Sequence, residues 1–308
     1  MLGMTKAREA TCSVCIIGSG RLGTALAIAL ESSNHAVLAL VARRLSSVKK
    51  AAARIKTRAL LLSARELERL PTSDLILIST PDDAVSDIAK QLATTQGKKA
   101  RGRTVLHTSG ALSSAALFPL ARVGFNVGSI HPLVSISDPR AGARALYNAF
   151  YCIEGDIQAL RMARLLVREL QGHSFKVNSS KKPLYHAAAV MSSGHLVALF
   201  EIAVELLIRS GLNRKQARRS LLPLLESTTR NLSNFDSAGA LTGTFARGDL
   251  MTIAKHLQAL GTVNSDGVLE VYKLLGHRSL ELAAKNGVPG RVLRNITKLL
   301  ESQTLIEK

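Results

Sequence analysis

Short apolar runs alternate with longer helical patterns over the first part of the chain. Each run is apolar enough to be buried on both faces, which is typical of strands in a parallel sheet. The predicted strands are 13–17, 36–41, 75–78, 104–107, 126–130, 150–153 and 174–177. The predicted helices between them are 24–30, 82–92, 111–120 and 158–171. Strands and helices in this order predict a parallel sheet with helices on both faces.

The pattern changes after the turn-rich segment 178–183. Beyond it no stretch has the pattern of a strand, and the predicted helices are 184–209, 214–231, 251–260, 267–286 and 291–302. Asn213 is expected to cap the second of these helices. The helix 184–209 is so apolar that protein must surround it, and a second subunit is the simplest partner. The sequence therefore predicts two domains, an α/β domain over 1–178 and an all-α domain over 179–308.

A glycine-rich turn joins the first predicted strand to the first predicted helix. Its sequence, which has the spacing of a dinucleotide-binding fingerprint, is Gly18-Ser19-Gly20-Arg21-Leu22-Gly23. Gly18 permits the tight turn, Gly20 lets a pyrophosphate approach the backbone, and Gly23 lets the helix pack closely on the strand. Backbone N–H groups and the helix dipole then favour an anion. The alternative is a turn that binds nothing, but the strand–turn–helix context favours a Rossmann-type sheet with cofactor contacts along the whole turn.

The end of the second predicted strand indicates which dinucleotide is preferred. NAD sites usually place an Asp or Glu there to bond the ribose 2′-hydroxyl. This chain has Arg43 and Arg44 instead, followed by Ser46. Two guanidinium groups can hold a 2′-phosphate through forked, charge-assisted hydrogen bonds, and the serine hydroxyl can add another. We therefore predict NADP(H) as the cofactor, with the alternative that one arginine only faces solvent.

Three further predicted strands end in polar residues at the edge of the sheet where open α/β folds bind ligands. Thr80 and Pro81 follow strand 75–78 and are expected to line the cofactor. His107 and Ser109 follow the next strand and are expected near the nicotinamide, although His107 is equally compatible with a core position. His131 lies at the same edge, with loop packing as its alternative.

The helix that opens the second domain carries the candidate proton donors. Hydride transfer to C=O or C=N needs a donor, and Tyr185, His186 and Ser193 can each provide one. A spacing of seven places His186 and Ser193 close to one helix face. A histidine on a helix is more often structural, so a packing role stays open for these residues.

Acidic residues near turns are interpreted as helix caps rather than as catalytic groups. Asp82 or Asp83 precedes the helix after strand 75–78, and a capping carboxylate is the simpler role there. Asp249 is expected to cap the helix that begins near 251. For Arg247 a contact with an anionic substrate stays open.

The composition is strongly basic, because 41 Lys and Arg against 22 Asp and Glu give a net charge of +19. The excess is spread over both halves of the chain, which favours a solvated basic surface over a nucleic-acid footprint. Only 4% of the residues are aromatic and tryptophan is absent, which argues against stacking platforms for single strands. Nucleic acid is therefore not an expected partner, and a polyanion binder is kept only as a rival hypothesis.

Cysteine content and hydropathy indicate the compartment. Three cysteines are too few for a disulfide framework, which favours a reducing environment. No uninterrupted apolar stretch reaches the roughly 18 residues of a membrane span. The segment 1–11 runs directly into the first strand and is not interpreted as a cleavable signal. We therefore expect a cytoplasmic protein with no membrane partner.

These motifs occur in one order along the chain, and together they resemble the Rossmann-like NADP oxidoreductases whose C-terminal half is a domain of unknown function. The architecture of that family is similar to that of pyrroline-5-carboxylate reductase and the 6-phosphogluconate dehydrogenase group. The resemblance rests on the glycine turn and on the segments 79–83, 107–112, 131–133, 185–189 and 242–249. It implies an N-terminal NADP-binding domain, a helical dimerisation domain and a substrate cleft between them.

Two positions and one motif depart from the family pattern. Gly194 and Thr244 stand where asparagine and proline are frequent, which puts one side-chain contact in doubt. The Lys–Asn pair of the related 3-hydroxyacid dehydrogenases is incomplete, because Lys181 and Lys182 lie near the place of the lysine but the asparagine is missing.

We predict an NADP(H)-dependent oxidoreductase that transfers hydride to or from a small carbonyl or imine substrate in the interdomain cleft, as a cytoplasmic homodimer. The alternative hypothesis is a non-catalytic NADP-binding sensor or scaffold protein, which the incomplete Lys–Asn pair favours.

Overall fold

The computed structural model describes residues 12–55, 57–263 and 267–302. The chain divides into two compact units, Met1–Gly194 and His195–Lys308. The predicted domain boundary after 178 precedes this division by one helix. The assignment of cofactor binding to one domain and of substrate binding and dimerisation to the other stays a prediction. The segment 1–11, whose interpretation bears on a signal sequence, lies outside the described residues.

Within its described residues, the first unit is built on an eight-stranded sheet. The strands are β1 (Ser13–Ile17), β2 (Ala36–Ala42), β3 (Leu60–Ser63), β4 (Leu75–Ile78), β5 (Thr104–His107), β6 (Asn126–Pro132), β7 (Phe150–Gly155) and β8 (His173–Phe175). Their order is β3-β2-β1-β4-β5-β6-β7-β8, and β7 runs antiparallel to β6 while the other neighbouring strands are parallel. The strand order reverses at β1 and β4, where open α/β sheets form their ligand crevice.

Helices cover both faces of this sheet. The helices of the first unit are α1 (Arg21–Ser32), α2 (Leu45–Ile55), α3 (Asp82–Gln96), α4 (Phe118–Ala121), α5 (Pro139–Ala145), α6 (Ile157–Glu169) and α7 (Lys182–Ser192). Short 3-10 turns occupy Ala64–Arg69, Gly97–Lys99, Ser114–Leu117 and Ser179–Lys181. One apolar core joins the sheet to α1, α5 and α6, and a second joins it to α3 and α4. Ile16 and Ile17 of β1 belong to different cores, as expected for a strand buried on both faces.

The predicted α/β architecture is confirmed, with three differences in detail. The apolar pattern does not predict α2, α5 or β3, and β3 is a four-residue edge strand with Leu60 exposed. It also does not predict the reversed direction of β7, because an apolar run carries no information on direction. The predicted helix 111–120 is a 3-10 turn followed by α4. Pro119 lies in the first turn of α4, where its missing N–H is tolerated, rather than inside a longer helix.

The second unit is all-α in its described residues, as predicted. Its helices are α8 (Gly194–Arg209), α9 (Arg214–Asn234), α10 (Ser237–Ala240), α11 (Gly243–Ala246), α12 (Leu250–Gly261), α13 (Val268–Lys285) and α14 (Gly290–Ser302). A core that includes Ile253, Leu280 and Ile296 joins α12, α13 and α14. The expected cap at Asn213 is confirmed, because its side chain accepts the N–H of Gln216 at 2.9 Å.

The predicted helix 184–209 is interrupted at Ser193, between α7 and α8. Ser193 has φ −128° and ψ −77°, and its hydroxyl donates to the carbonyl of Ala189 at 2.8 Å. A hydroxyl that bonds back to a helix carbonyl competes with the backbone ladder, and the following Gly194 is a poor helix former. The pair therefore ends one helix and begins another.

Large apolar side chains are exposed on α8 and α9. Val197 is 69% exposed and Leu224 is 62% exposed. The stretch Ser179–Arg209 is long and apolar enough to cross a membrane by length and composition alone, and 6% of its most apolar window is buried. These helices therefore present an apolar surface rather than a buried core.

Candidate functional site

The glycine turn lies at the carboxyl end of β1, against the end of β4. Gly18 has φ +108°, and a Cβ on it would lie 2.2 Å from the carbonyl oxygen of Ser79. A Cβ on Gly23 would lie 1.8 Å from the carbonyl oxygen of Gly18, whereas a Cβ on Gly20 would have no neighbour within 4 Å. Two of the glycines are therefore required by packing, and Gly20 faces open space.

The start of α1 is arranged to receive an anion. Gly20 is the N-cap residue and makes no side-chain cap, so the first N–H groups of the helix, at Arg21 and Leu22, have no capping acceptor. Two buried hydroxyls beside the turn, Ser19 Oγ and Thr80 Oγ1, have no hydrogen-bond partner among the described residues. Buried polar atoms are rarely left unpaired, so these hydroxyls indicate a polar ligand. The residues of the turn therefore fit the pyrophosphate of a dinucleotide.

The second group of predicted cofactor residues lies one strand away from the turn. The N–H of Gly18 donates to the carbonyl of Val41 at 2.8 Å, which ties the turn to the end of β2. Arg43, Arg44 and Ser46 follow that strand and are exposed. The first turn of α2 has no acidic residue. Neither arginine forms an ion pair within the described ranges, so both guanidinium groups are available to a phosphate.

The loop after β4 does not form the predicted cap. Pro81 occupies the N-cap position of α3, and no side chain caps the helix. The expected capping role of Asp82 or Asp83 is therefore wrong, because both carboxylates fall in the first turn. Asp82 Oδ2 instead accepts the hydroxyl of Ser109 at 2.8 Å.

Ser109, which was expected beside the cofactor, organises its own loop. Its Oγ donates to Asp82 and accepts the N–H groups of Ala111 and Leu112 at 3.2 and 3.0 Å. Its hydroxyl is therefore fully used within the chain. The side chain fixes the loop after β5 and leaves no free atom for a cofactor.

His107 is a buried structural residue. Its side chain is 0% exposed, its Nδ1 accepts the N–H of Ser109 at 3.2 Å, and its Nε2 donates to the carbonyl of Ser113 at 3.0 Å. Burial lowers the pKa of His107 to about 4. The expectation that its side chain contacts the cofactor is therefore corrected in favour of the core position, because both ring nitrogens are occupied.

Two of the three candidate proton donors meet His131. Tyr185 Oη lies 2.6 Å from His131 Nδ1, and the rings of His131 and His186 are 5.4 Å apart at 87°. The Nδ1 atom of His186 is buried and has no partner in the described part of the chain. Burial lowers the pKa of His131 to about 4, with His186 and Lys182 adding to the effect. Burial likewise raises the pKa of Tyr185.

These residues line a cavity of about 660 Å³ in the first unit. Its walls are mostly apolar or small side chains, and they include Leu133, Phe175, Val190 and Ser193. Ser193 is exposed at the end of α7, and its hydroxyl is engaged with the carbonyl of Ala189. Ser193 therefore lines the same cavity as His186. The spacing of seven predicted that both residues lie on one continuous helix, whereas α7 ends at Ser192.

A buried lysine, which the sequence analysis does not include among the site residues, lies at the start of α7. Lys182 is 0% exposed, and its Nζ donates to Ser129 Oγ at 2.8 Å. Glu154 lies beyond Ser129 and accepts both the N–H and the hydroxyl of Ser114 at 2.7 Å. Burial lowers the pKa of Lys182. Helical spacing could have pointed to this residue, because Lys182 shares a face of α7 with Tyr185 and His186.

Two family profiles match the chain. Residues 3–132 match the Rossmann-like domain, and residues 149–279 match a domain of unknown function, DUF2520. No sequence of a curated protein matches the chain. The two profiles confirm the resemblance drawn from the ordered motifs.

Solved structures share the fold at low sequence identity. A provisionally assigned NADP oxidoreductase from Bacteroides fragilis is 20% identical, with a TM-score of 0.72 over 88% of this chain and 98% of its own. A protein from Thermotoga maritima is also 20% identical, with a TM-score of 0.68 over 89% and 100%. The pyrroline carboxylate reductase of Plasmodium falciparum, solved with NADP bound, is 13% identical, with a TM-score of 0.53 over 96% and 98%. At these identities the likeness concerns the fold.

Proposed function

We propose that this Rossmann-like protein with a C-terminal DUF2520 domain is an NADP(H)-dependent oxidoreductase of a small carbonyl or imine compound. One observation carries the proposal: the buried hydroxyls of Ser19 and Thr80, beside the open start of α1, have no partner among the described residues. A pyrophosphate there would accept these hydroxyls and the first helix N–H groups. The NADP bound on the same fold in the Plasmodium enzyme supports the choice of ligand.

Selection of the phosphorylated dinucleotide is assigned to the end of β2. Arg43 and Arg44 are exposed there, and the first turn of α2 has no acidic residue. A carboxylate at this point would repel a 2′-phosphate, whereas two guanidinium groups attract it. Ser46 adds a hydroxyl at the same helix start. We therefore assign NADP(H) over NAD(H).

The substrate end is assigned to the cavity of the first unit. The dihydronicotinamide supplies hydride when the cofactor is bound, and the chain must supply a proton donor. His186 is the leading donor, because its buried Nδ1 has no partner in the described residues and the residue lines the cavity. The hydroxyl of Ser193 already donates to a carbonyl, which makes it the weaker candidate.

Binding of the two reduced dinucleotides tests the cofactor assignment. Nicotinamide fluorescence is titrated with NADPH and NADH for the wild type and for the Arg43→Ala/Arg44→Ala variant. We expect NADPH to bind at least about tenfold tighter, or about 1.4 kcal/mol, and the variant to lose this preference. An Arg161→Ala/Arg164→Ala variant on α6 removes the same charge and should keep the preference. Equal loss in both variants would attribute the effect to net charge, and absence of binding would remove the oxidoreductase proposal.

A homodimer is the proposed assembly, in the cytoplasm. The support is the exposed apolar surface of α8 and α9, which includes Val197 and Leu224. Sedimentation of the wild type should give a dimer, and a Val197→Asp/Leu224→Asp variant should sediment as a folded monomer. A monomeric wild type that pellets with lipid vesicles would instead assign this surface to a membrane.

A further inference from the structure

The two histidines at the cavity differ in what holds them. His131 is tied through Nδ1 to the phenol of Tyr185 at 2.6 Å. His186 has a buried Nδ1 without a partner among the described residues. Both rings line the same cavity and lie edge to face, with centroids 5.4 Å apart. The ring of His131 is therefore held by a hydrogen bond at Nδ1, whereas the Nδ1 atom of His186 is available to a ligand.

The length of the Tyr185–His131 contact indicates which atom donates. Hydrogen bonds from N–H to oxygen are generally about 2.7–3.2 Å long, whereas bonds donated by O–H extend down to about 2.5 Å. The observed 2.6 Å lies in the O–H range. A phenol is also a much stronger donor than a neutral imidazole N–H, and an imidazole nitrogen is a much stronger acceptor than a phenol oxygen. Tyr185 therefore donates to Nδ1, and the ring proton of His131 is on Nε2.

The Nε2 atom of His131 and the Nδ1 atom of His186 both lie against Gly110, in the loop that follows β5. A Cβ on Gly110 would lie 2.9 Å from His131 Nε2 and 2.4 Å from His186 Nδ1. The two nitrogens therefore converge on one backbone position that carries no side chain. Gly110 follows Ser109 in the loop at the ligand-binding edge of the sheet.

We propose that His131 is a further catalytic residue, a neutral imidazole that donates its Nε2–H to the substrate oxygen, and that Tyr185 is the positioning residue that fixes this tautomer. The assignment rests on the proposed oxidoreductase function. It leaves His186 as the proton donor and removes Tyr185 from that role. Hydrogen bonding from a preorganised neutral donor polarises a carbonyl without a proton transfer of its own.

The groups around His131 keep its ring uncharged. Lys182 and His186 face it from α7 and His107 faces it from β5, and each of these opposes a positive charge on the ring, while Asp82 favours one. Cys152, the strand partner of His131 on β7, is a buried thiol. Burial is the largest contribution, and the pKa of His131 is lowered to about 4. A donor that stays neutral keeps the same hydrogen on Nε2 across physiological pH.

Two-bond ¹H–¹⁵N correlation spectra of the full chain, labelled at histidine, test the proposal without cofactor or substrate. We expect His131 to show one tautomer, with the proton on Nε2, and to stay neutral down to about pH 4. Tyr185→Phe removes the hydrogen bond to His131 Nδ1, so the two nitrogen shifts of His131 should move towards the average of both tautomers. The His131 signals are identified independently, as those that disappear in His131→Gln.

The chain contains a matched control pair in its second unit. His256 Nδ1 lies 2.8 Å from Tyr272 Oη, and their rings also meet edge to face, at 88°. Tyr272→Phe should alter His256 and leave His131 unchanged. A proton on Nδ1 of His131, a doubly protonated ring at neutral pH, or an unchanged tautomer in Tyr185→Phe would each overturn the proposal. None of these outcomes depends on dinucleotide binding, so failure of the proposed function is recognised separately in the titrations.

Discussion

Buried His107 makes the stability of the first unit sensitive to acid. Its pKa is lowered from 6.5 to about 4 because the ring is buried. The unfolded chain therefore binds a proton at a higher pH than the folded chain does. The stabilisation is complete above pH 6.5 and is lost as the pH falls through the folded value near 4. At about pH 4.5 the loss is about 2–3 kcal/mol, and His131, whose pKa is also lowered to about 4, adds a loss of the same order.

Urea unfolding of the wild type and His107→Gln at about pH 7.5 and 4.5 measures this effect. Glutamine can still donate to the carbonyl of Ser113 but does not titrate, so the difference between the two pH values isolates the imidazole. The wild type should lose about 2–3 kcal/mol more than the variant over this interval. The same loss in both proteins would refute the assignment of His107 as a buried neutral residue.

Two further predictions concern backbone packing and buried charge. Gly20→Ala should leave the melting temperature nearly unchanged but weaken NADPH binding, because a Cβ there meets only open space. Gly23→Ala should lower stability by at least about 2 kcal/mol, because its Cβ would lie 1.8 Å from a backbone oxygen. Thermal unfolding and NADPH titration of both variants separate the two roles. Lys182→Met should unfold at the same or a higher temperature, because an apolar side chain of similar volume replaces a fully buried ammonium. A large loss of stability in Lys182→Met would show that the bond to Ser129 outweighs the cost of burying the charge.

The fold follows largely from local patterns. Buried parallel strands are continuous apolar runs. The runs at β1, β4 and β5 therefore predict these three strands with the bounds that they have in the structure. The edge strand β3 is short and partly exposed, and an edge strand needs no continuous apolar run. The break at Ser193 depends on a single hydroxyl that bonds to Ala189, which a hydropathy pattern does not contain.

The sequence predicts the position of site residues that directly follow a strand. It does not predict the role of a residue whose side chain is held by residues distant in sequence. The strand–turn–helix rule places Gly18 and Ser19 at the start of α1, and the strand-end rule places Thr80 beside them, after β4. Whether His107 is free or occupied depends on Ser113, which lies six residues further on and contacts its ring only in the folded loop. The partnership of Tyr185 with His131 spans 54 residues of sequence. Spacing within one helix cannot reveal it.

Transfer of hydride from the bound cofactor tests the proposed oxidoreductase function most directly. NADPH carrying deuterium at C4 of the dihydronicotinamide is incubated with the protein and a panel of small aldehydes, ketones and cyclic imines, and products are analysed by mass spectrometry. We expect deuterium on the former C=O or C=N carbon of at least one product, with a much slower rate in His186→Gln. Tight NADPH binding without deuterium transfer to any member of the panel would refute the oxidoreductase proposal and would favour a non-catalytic NADP-binding sensor or scaffold.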